Sequence, residues 1–145
     1  MTVVIVGTLD TKGEEIGFAR DVLTAEGVAV HVIDTGVVGE PGIEPDTSAS
    51  EVAEAAGTTL EHLRDEADRG EAMEAMGEGA TAIAERMHEA GDLDGIMGLG
   101  GSGNTSIATT AMRALPVGVP KLMVSTMASG DTEPYVGARD IMVLY

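Results

Sequence analysis

Two polar segments of the sequence contain residue types that bind phosphate. The first, "GLGGSGNTS" at residues 98–106, lies between an apolar run and a helical pattern. Glycine lets the backbone approach a ligand closely, and a helix N-terminus offers unpaired N–H groups and the positive end of its dipole to an anion. In this segment we expect a nucleotide to contact Gly100, Gly101, Ser102, Gly103, Asn104, Thr105 and Ser106.

The spacing in this segment matches two phosphate-binding motifs incompletely. Gly98, Gly100 and Gly103 fit the dinucleotide fingerprint G-x-G-x-x-G, but the acidic residue that holds the ribose about 20 residues later is missing. The segment also fits the P-loop pattern, except that Asn104 replaces the lysine. The structural alternative is a glycine-rich turn whose helix is capped by Ser102 or Asn104.

The second segment, "GTLDTKGEE" at residues 7–15, follows the first apolar run. Its candidate nucleotide-binding residues are Gly7, Thr8, Asp10, Thr11 and Lys12. The hydroxyls and the ammonium suit phosphate or ribose, and Asp10 is the candidate ligand for Mg²⁺, either directly or through water. The structural alternative is a helix start capped by Thr11.

Further polar residues follow the other apolar runs. Asp34 ends the second run, where a ribose-binding acid lies in Rossmann sheets, although a turn-forming aspartate also fits. Ser125 and Thr126 end the fourth run. Because ligands of open parallel sheets bind at the carboxyl ends of the strands, these residues predict one site at one edge. Arg69, at a helix break, is expected to form a surface ion pair.

Five apolar, β-branched runs predict the strands that position these residues, at 3–6, 28–33, 95–99, 119–126 and 141–145. Amphipathic patterns at 14–26, 71–90 and about 104–115 predict helices between them. The long connection from residue 34 to 94 should contain two or three helical segments. The alternation predicts an α/β fold, a Rossmann-like doubly wound, mostly parallel sheet of about five strands flanked by helices, in one domain over residues 1–145.

Composition limits the classes of partner. The chain has 25 acidic and 8 basic residues, a net charge of -17, and this charge repels nucleic acid and anionic lipid. The acids are dispersed among 43% hydrophobic residues, which predicts a folded, halophilic protein with an acidic surface. The two lysines, Lys12 and Lys121, are both expected at the polar loops. No signal or membrane-spanning run is visible, so we expect a cytoplasmic protein.

Several segments together resemble one known family. "GTLDTKGEE", "DRG", "GLGGSGNTS" and above all "ALPVGVPKLMVSTMASGDTEPYVGARDIMVLY" are similar to the N-terminal domain of the Tm-one-like family of uncharacterised bacterial, archaeal and plant proteins. The resemblance implies a Rossmann-like domain that binds ATP with magnesium and is followed by a C-terminal barrel-like domain. It places the nucleotide at residues 7–12 and 100–106, with residues 125–131 as a further candidate region.

Three functions remain open on the sequence alone. The chain is an ATP- and Mg²⁺-binding domain of a two-domain enzyme, a non-catalytic interaction module stabilised by nucleotide, or a domain that binds a small phosphorylated metabolite or a nicotinamide cofactor. The expected partners are a nucleotide, the barrel-like domain and further copies of the chain in a homo-oligomer. No nucleic acid and no membrane is expected.

Overall fold

Five parallel strands form one sheet in a computed structural model that describes residues 1–145. The strands are β1 (Thr2–Gly7), β2 (Ala29–Asp34), β3 (Gly95–Gly100), β4 (Lys121–Ser125) and β5 (Met142–Leu144). Their order across the sheet is β2-β1-β3-β4-β5, and all four pairings are parallel. The structure confirms the predicted Rossmann-like α/β architecture, and each predicted strand is present with shifted ends.

Helices cover the two faces of the sheet unequally. They are α1 (Leu9–Ala25), α2 (Ala49–Ala55), α3 (Leu60–Asp65), α4 (Arg69–Glu89), α5 (Ser102–Ala114) and the single turn α6 (Glu133–Val136). On one face, Ile5 and Val32 pack with Leu9 and Ile16 of α1 in a core of four buried residues. On the other, a core of 20 buried residues joins the sheet to α2, α4 and α5. The connection between β2 and β3 therefore contains three helices, as predicted.

Helix α4 is held against α2 by backbone contact. A Cβ atom at Gly79 of α4 would lie 2.0 Å from the carbonyl oxygen of Val52 in α2, so a larger residue there would force the helices apart. Buried Met76 and Ala80 continue the contact surface of α4. This packing fixes the direction in which the N-terminal end of α4, beginning at Arg69, points.

Two predicted loops are much shorter than expected. Helix α1 begins at Leu9 rather than near Glu14, with a kink at Lys12, and α5 begins at Ser102 rather than near Asn104. Only Gly101 separates β3 from α5, so the segment 98–106 is a strand end, a tight turn and a helix start. Loop 7–13 is likewise mostly the first turn of α1. Both segments thus present helix N-termini rather than flexible loops.

Lys121 lies at the opposite end of the sheet from the place predicted for it. It is the first residue of β4, and its buried ammonium donates to the carbonyl oxygens of Pro116 and Val119 and to Asp140 Oδ1, at 2.7, 2.9 and 2.8 Å. All three of its protons are therefore satisfied. The prediction that Lys121 lies at the polar loops was wrong, because its ammonium instead joins the segments that precede β4 and β5.

None of the helices is both long enough and apolar enough to cross a membrane.

Candidate functional site

A cavity of about 860 Å³ opens at the carboxyl ends of the strands, on the α4 and α5 side of the sheet. Its walls come from the start of α1, the loop after β2, the region from α3 into α4, and the start of α5. Eight of the residues predicted to bind nucleotide line it: Thr8, Asp10, Thr11, Lys12, Gly101, Ser102, Gly103 and Asn104. The structure thus brings the two predicted segments together in one cavity.

Two of the helices that begin at this cavity, α1 and α5, differ from the other helices in how they are capped. Side chains of Ser48, Thr59 and Asp68 accept hydrogen bonds from the first turns of α2, α3 and α4. The N-cap residues of α1 and α5, Thr8 and Gly101, make no side-chain capping bond. The sequence-based alternatives, capping by Thr11, Ser102 or Asn104, are wrong. The α5 N-terminus therefore faces the cavity without a side-chain acceptor, whereas at the α1 N-terminus the Leu9 N–H already donates to buried Asp34.

Three of the eight basic side chains of this acidic protein line the cavity: Lys12, Arg64 and Arg69. Lys12 forms an exposed ion pair with Glu15, with 3.1 Å between Nζ and Oε1. Arg69 forms no ion pair, which contradicts the predicted surface pair, and Arg64 donates from Nε to the Val37 carbonyl oxygen. Two guanidinium groups therefore remain without a carboxylate in a chain that has 25 acids.

Asp10 is the acidic residue that connects the start of α1 to the loop after β2. Its Oδ2 accepts a hydrogen bond from the Gly39 N–H at 3.1 Å, whereas its Oδ1 is buried and has no hydrogen-bond partner. No group of three or more Asp, Glu or His side chains is arranged to hold a metal ion by itself. Asp10 alone can thus supply one carboxylate oxygen to a cation that brings its other ligands with it.

Asp34 does not line the cavity. It is buried at the end of β2, where its Oδ1 accepts hydrogen bonds from the Leu9 and Gly36 N–H groups at 3.1 and 2.8 Å. Burial raises the pKa of Asp34 above its ordinary value, and the negative charge of Asp10 adds to this, against the lowering effect of the two N–H donors. Its geometry is that of the turn-forming alternative, which fixes the start of α1 beside β2.

Asn104 holds the strand ends beneath the cavity. Its Nδ2 donates to the carbonyl oxygens of Val6 and Leu99 at 3.1 and 2.8 Å, and its Oδ1 accepts from Thr35 Oγ1 at 3.3 Å. One buried side chain thus joins β1, β3 and the loop after β2. A lysine, as in a P-loop, could not accept from Thr35.

The glycines of the two segments fall into two groups. There is no space for a side chain at two of them: a Cβ atom would lie 2.1 Å from Ile16 Cδ1 at Gly7 and 2.7 Å from Ala108 Cβ at Gly98. Gly100 has a φ of +153°, which favours glycine. At Gly101 and Gly103 the nearest atoms to an added Cβ are 3.9 and 3.6 Å away, and neither residue has a positive φ. The fold requires the first group, whereas Gly101 and Gly103 leave open space at the cavity wall.

The remaining predicted residues lie beside the cavity rather than in it. Thr105 and Ser125 share a buried hydroxyl contact of 2.6 Å, and Ser125 Oγ also accepts from the Met127 N–H. The Ser106 carbonyl oxygen accepts from Thr110 within α5, and Thr126 is exposed at the start of a 3₁₀ turn. The hydroxyls of Thr105 and Ser125 are thus used within the protein, whereas Ser106 and Thr126 stay predictions.

Apolar side chains also line the cavity. Five of them come from the loop after β2, from α3 to α4 and from α5: Val37, Leu63, Met73, Met76 and Ile107. No sequence motif identifies these residues as cavity residues. Apolar side chains at helical spacing are expected both in a core and in a cavity wall. The lining thus combines apolar side chains with three basic and three acidic ones, the acidic residues being Asp10, Asp65 and Asp68, and such a mixture of apolar and polar groups is usual in a site for a small ligand.

Sequence comparisons place the chain among proteins of unknown function. The chain is 53% identical over 143 residues to a UPF0261 protein of Clostridium tetani, covering 99% of this chain and 35% of that protein. It is 41% identical over 75 residues to the ToMV susceptible protein tm-1(GCR26) of Solanum lycopersicum, covering 52% of this chain and 10% of that protein. Among solved structures, Acinetobacter baumannii MurG aligns with 99% of this chain and 46% of its own, at a TM-score of 0.36 and 14% identity.

The chain spans about a third of the length of the bacterial relatives it matches. The family model described as "Uncharacterised protein family (UPF0261) N-terminal domain" matches residues 1–145, the whole chain. This match and the identity to the Clostridium tetani protein agree with the resemblance read from the motifs, and the chain therefore belongs to the UPF0261 family, whose N-terminal domain it contains.

Proposed function

We propose that this domain binds ATP together with Mg²⁺, with the phosphates at the starts of α1 and α5. The observation that carries the proposal is the meeting of two uncapped helix N-termini and three basic side chains at one cavity. The carboxylates of Asp10, Asp65 and Asp68 line the same cavity, but Arg64 and Arg69 form no ion pair with them, so their guanidinium groups can bind a polyphosphate.

The phosphate end is formed by Lys12, Arg69 and the backbone of Gly101 and Gly103. The guanidinium of Arg69 stands 3.6 Å from the position of a Cβ on Gly103, so the space above Gly103 lies between a cation and a helix N-terminus. A phosphate oxygen in that space receives charge-assisted hydrogen bonds from one side and backbone N–H bonds from the other.

Magnesium fits this site as a companion of the phosphates. Mg²⁺ keeps several waters and is commonly bound by one or two carboxylates plus substrate phosphates. Asp10 provides one carboxylate with an unpartnered oxygen, and the hydroxyls of Thr8 and Thr11 lie close by. The ion neutralises phosphate charge, which this chain's few cations do not balance alone.

The nucleoside lies against apolar side chains of the cavity wall. Val37 and Met73, which are partly exposed, offer apolar surface to a base, and the volume of about 860 Å³ lies within the range of small-molecule sites. The chain lacks an acid at the end of β4 to hold a ribose in the manner of a dinucleotide site, and Asp34 is buried. ATP is accordingly preferred to NAD.

Substitution of Lys12 tests the proposal directly. Lys12→Ala should weaken ATP binding by at least about tenfold, since a charge-assisted contact to phosphate is typically worth ~1.5–3 kcal/mol. Adenosine binding should change less. The melting temperature of the free domain should stay within about two degrees, because an exposed ion pair contributes little to stability.

Arg20→Ala is the matched control for this measurement. Arg20 lies on the same helix and also forms an exposed ion pair at 3.1 Å, with Asp21, but it does not line the cavity. Each variant is titrated calorimetrically with ATP in the presence of Mg²⁺, with adenosine and with NAD. The affinity for ATP should fall in the Lys12 variant and not in the Arg20 variant. Equal ATP affinity in the two variants, or equal affinity of the parent for ATP and NAD, would contradict the proposal.

A further inference from the structure

The face of the sheet that carries α1 is only half covered. Helix α1 packs over β1 and β2 and against Met97 and Leu99 of β3, and the other long helices pack on the opposite face. Strand β3 is therefore covered only in part on the α1 side, and β4 and β5 have no helix there. Doubly wound parallel sheets are normally covered on both faces, because their strands are apolar on both sides.

The uncovered side is continuous and apolar. In the strand register Met97 is opposite Leu122, which is opposite Met142, and Leu99 is opposite Val124, which is opposite Leu144. All six side chains point to the same face, because residues two apart share a face of a strand. Met142 and Leu144 are 66% and 53% exposed. We call these six residues the bare face.

Helix α1 extends the bare face into a groove. Phe18, the only phenylalanine of the chain, is 73% exposed on α1, and Val22 is half exposed one turn further. With Met97, Leu99 and Leu122 they line a groove of about 850 Å³ between the helix and the strands. A contiguous apolar surface of this kind on a folded domain marks an interaction site.

We propose that a helix from the part of the full-length protein C-terminal to this domain packs into this groove. The relatives contain this chain as about a third of their length, and the family model names it the N-terminal domain, so most of each relative follows it. The opposite face is already filled by α2, α4 and α5, which leaves the bare face as the side where a returning helix can pack.

The occupant is a helix rather than an extended segment. The groove runs beside α1 over paired strands, so it offers no sheet edge to which a strand could hydrogen bond. A segment placed there must satisfy its own backbone N–H and C=O groups, and a helix does so within itself. Its apolar stripe would cover the six residues of the bare face together with Phe18.

Photo-crosslinking in the full-length Clostridium tetani relative tests this inference. p-Benzoylphenylalanine is introduced at the position aligned with Phe18, and at the position aligned with Val117 as a control. Val117 is also exposed, at 68%, but it lies in the turn between α5 and β4, away from the groove. The protein is irradiated as an equal mixture of ¹⁴N and ¹⁵N material, and cross-linked peptides are identified by mass spectrometry.

We expect the position of Phe18 to cross-link within one molecule to a segment C-terminal to the N-terminal domain, and the control position not to reach that segment. Cross-links confined to the N-terminal domain would overturn the inference, since the groove would then be open. Cross-links between ¹⁴N and ¹⁵N molecules would also overturn it, because a second copy would then occupy the groove.

Discussion

Asp34 combines a buried position with a negatively charged neighbour. A Cβ on Gly36 would lie 2.6 Å from Asp10 Oδ1 and 3.1 Å from Asp34 Oδ1, so the two carboxylates approach each other around this glycine. The raised pKa of Asp34 means that the folded protein binds this proton more tightly than the unfolded chain does. The ionised form therefore opposes folding, and its cost appears as the pH rises from the ordinary pKa through the raised one.

We expect Asp34→Asn to be at least as stable as the parent at neutral pH. The new amide would keep an oxygen to accept from Leu9 and Gly36, and it would place an N–H donor close to Asp10 instead of a second charge. The gain should shrink as the pH falls toward the ordinary pKa of 3.8, where the parent binds its proton. Urea unfolding from about pH 4 upward measures this, with exposed Asp21→Asn as control. A variant less stable than the parent at neutral pH would show that the ionised carboxylate stabilises the fold.

A substitution at Gly103 should have opposite effects on ligand affinity and on stability. It is helical, and a Cβ there meets nothing closer than 3.6 Å, so Gly103→Ala should stabilise the free domain by about 0.5–1 kcal/mol. The same methyl group would fill the space assigned to a phosphate, so ATP affinity should fall by about tenfold or more. Thermal melts and calorimetric titration give the two quantities.

Gly77→Ala is the matched control for Gly103→Ala. Gly77 is also helical, an added Cβ has its nearest neighbour 3.8 Å away, and the residue does not line the cavity. This variant should retain the affinity of the parent for ATP. If Gly103→Ala also binds ATP like the parent, no phosphate lies over the start of α5.

At the scale of elements, Lys121 and Asp140 connect the starts of β4 and β5. The hydrogen bond from Lys121, followed by that from the Gly118 N–H, lowers the pKa of Asp140 to about 2. A carboxyl whose pKa is lowered on folding stabilises the fold above its ordinary pKa, and this stabilisation is lost as the pH falls through about 2. The pair therefore stabilises this end of the sheet throughout the neutral range.

Lys121→Met should destabilise the domain by about 2 kcal/mol at neutral pH. The substitution removes the buried ammonium and its three hydrogen bonds, whereas methionine keeps an apolar side chain of similar length. Lys12→Met removes the other lysine, which is exposed, and should change the free energy of unfolding by less than about 0.5 kcal/mol. Urea unfolding of both variants measures the contrast. Equal effects would mean that burial of Lys121 does not determine its contribution.

The sequence predicted the elements better than their ends. Short, near-continuous apolar runs rich in β-branched residues are typical of the strands of a parallel sheet, so all five strands were predictable. The starts of α1 and α5 were not, because the N-cap residues Thr8 and Gly101 make no side-chain capping bond and a glycine-rich segment fits a loop as well as a helix start.

The candidate site was predictable in place but not in composition. Strand ends indicated the correct edge of the sheet, and Lys12 and Gly103 lie in the cavity as expected. Arg64 and Arg69 were missed because α3 and α4 come from a long connection whose path depends on packing, such as the contact of Gly79 with Val52. Asp34, Thr105 and Ser125 have suitable chemistry, but the fold uses their polar groups internally.

At the scale of the whole molecule, the net charge of -17 sets the response to salt. Dispersed like charges repel one another, and this repulsion opposes the compact state most at low ionic strength, where the Debye length is about 30 Å at 0.01 M. We expect the melting temperature to rise as KCl increases from about 0.05 M to about 2 M, a range over which charge screening becomes nearly complete. A melting temperature that stays constant over this range would contradict the prediction of a halophilic protein.

The pairing of β1 with β3 also determines at which stage of translation the cavity can form. Val3 pairs with Gly95, so β1 leaves the ribosome long before its second neighbour has been translated. Until then the nascent chain has only β2 to pair with, and a two-stranded sheet is marginal on its own. The α5 wall of the cavity is made later still. A ligand of the complete cavity can therefore not assist the early chain, in which α1, α2 and α4 are the helices that can cover β1 and β2.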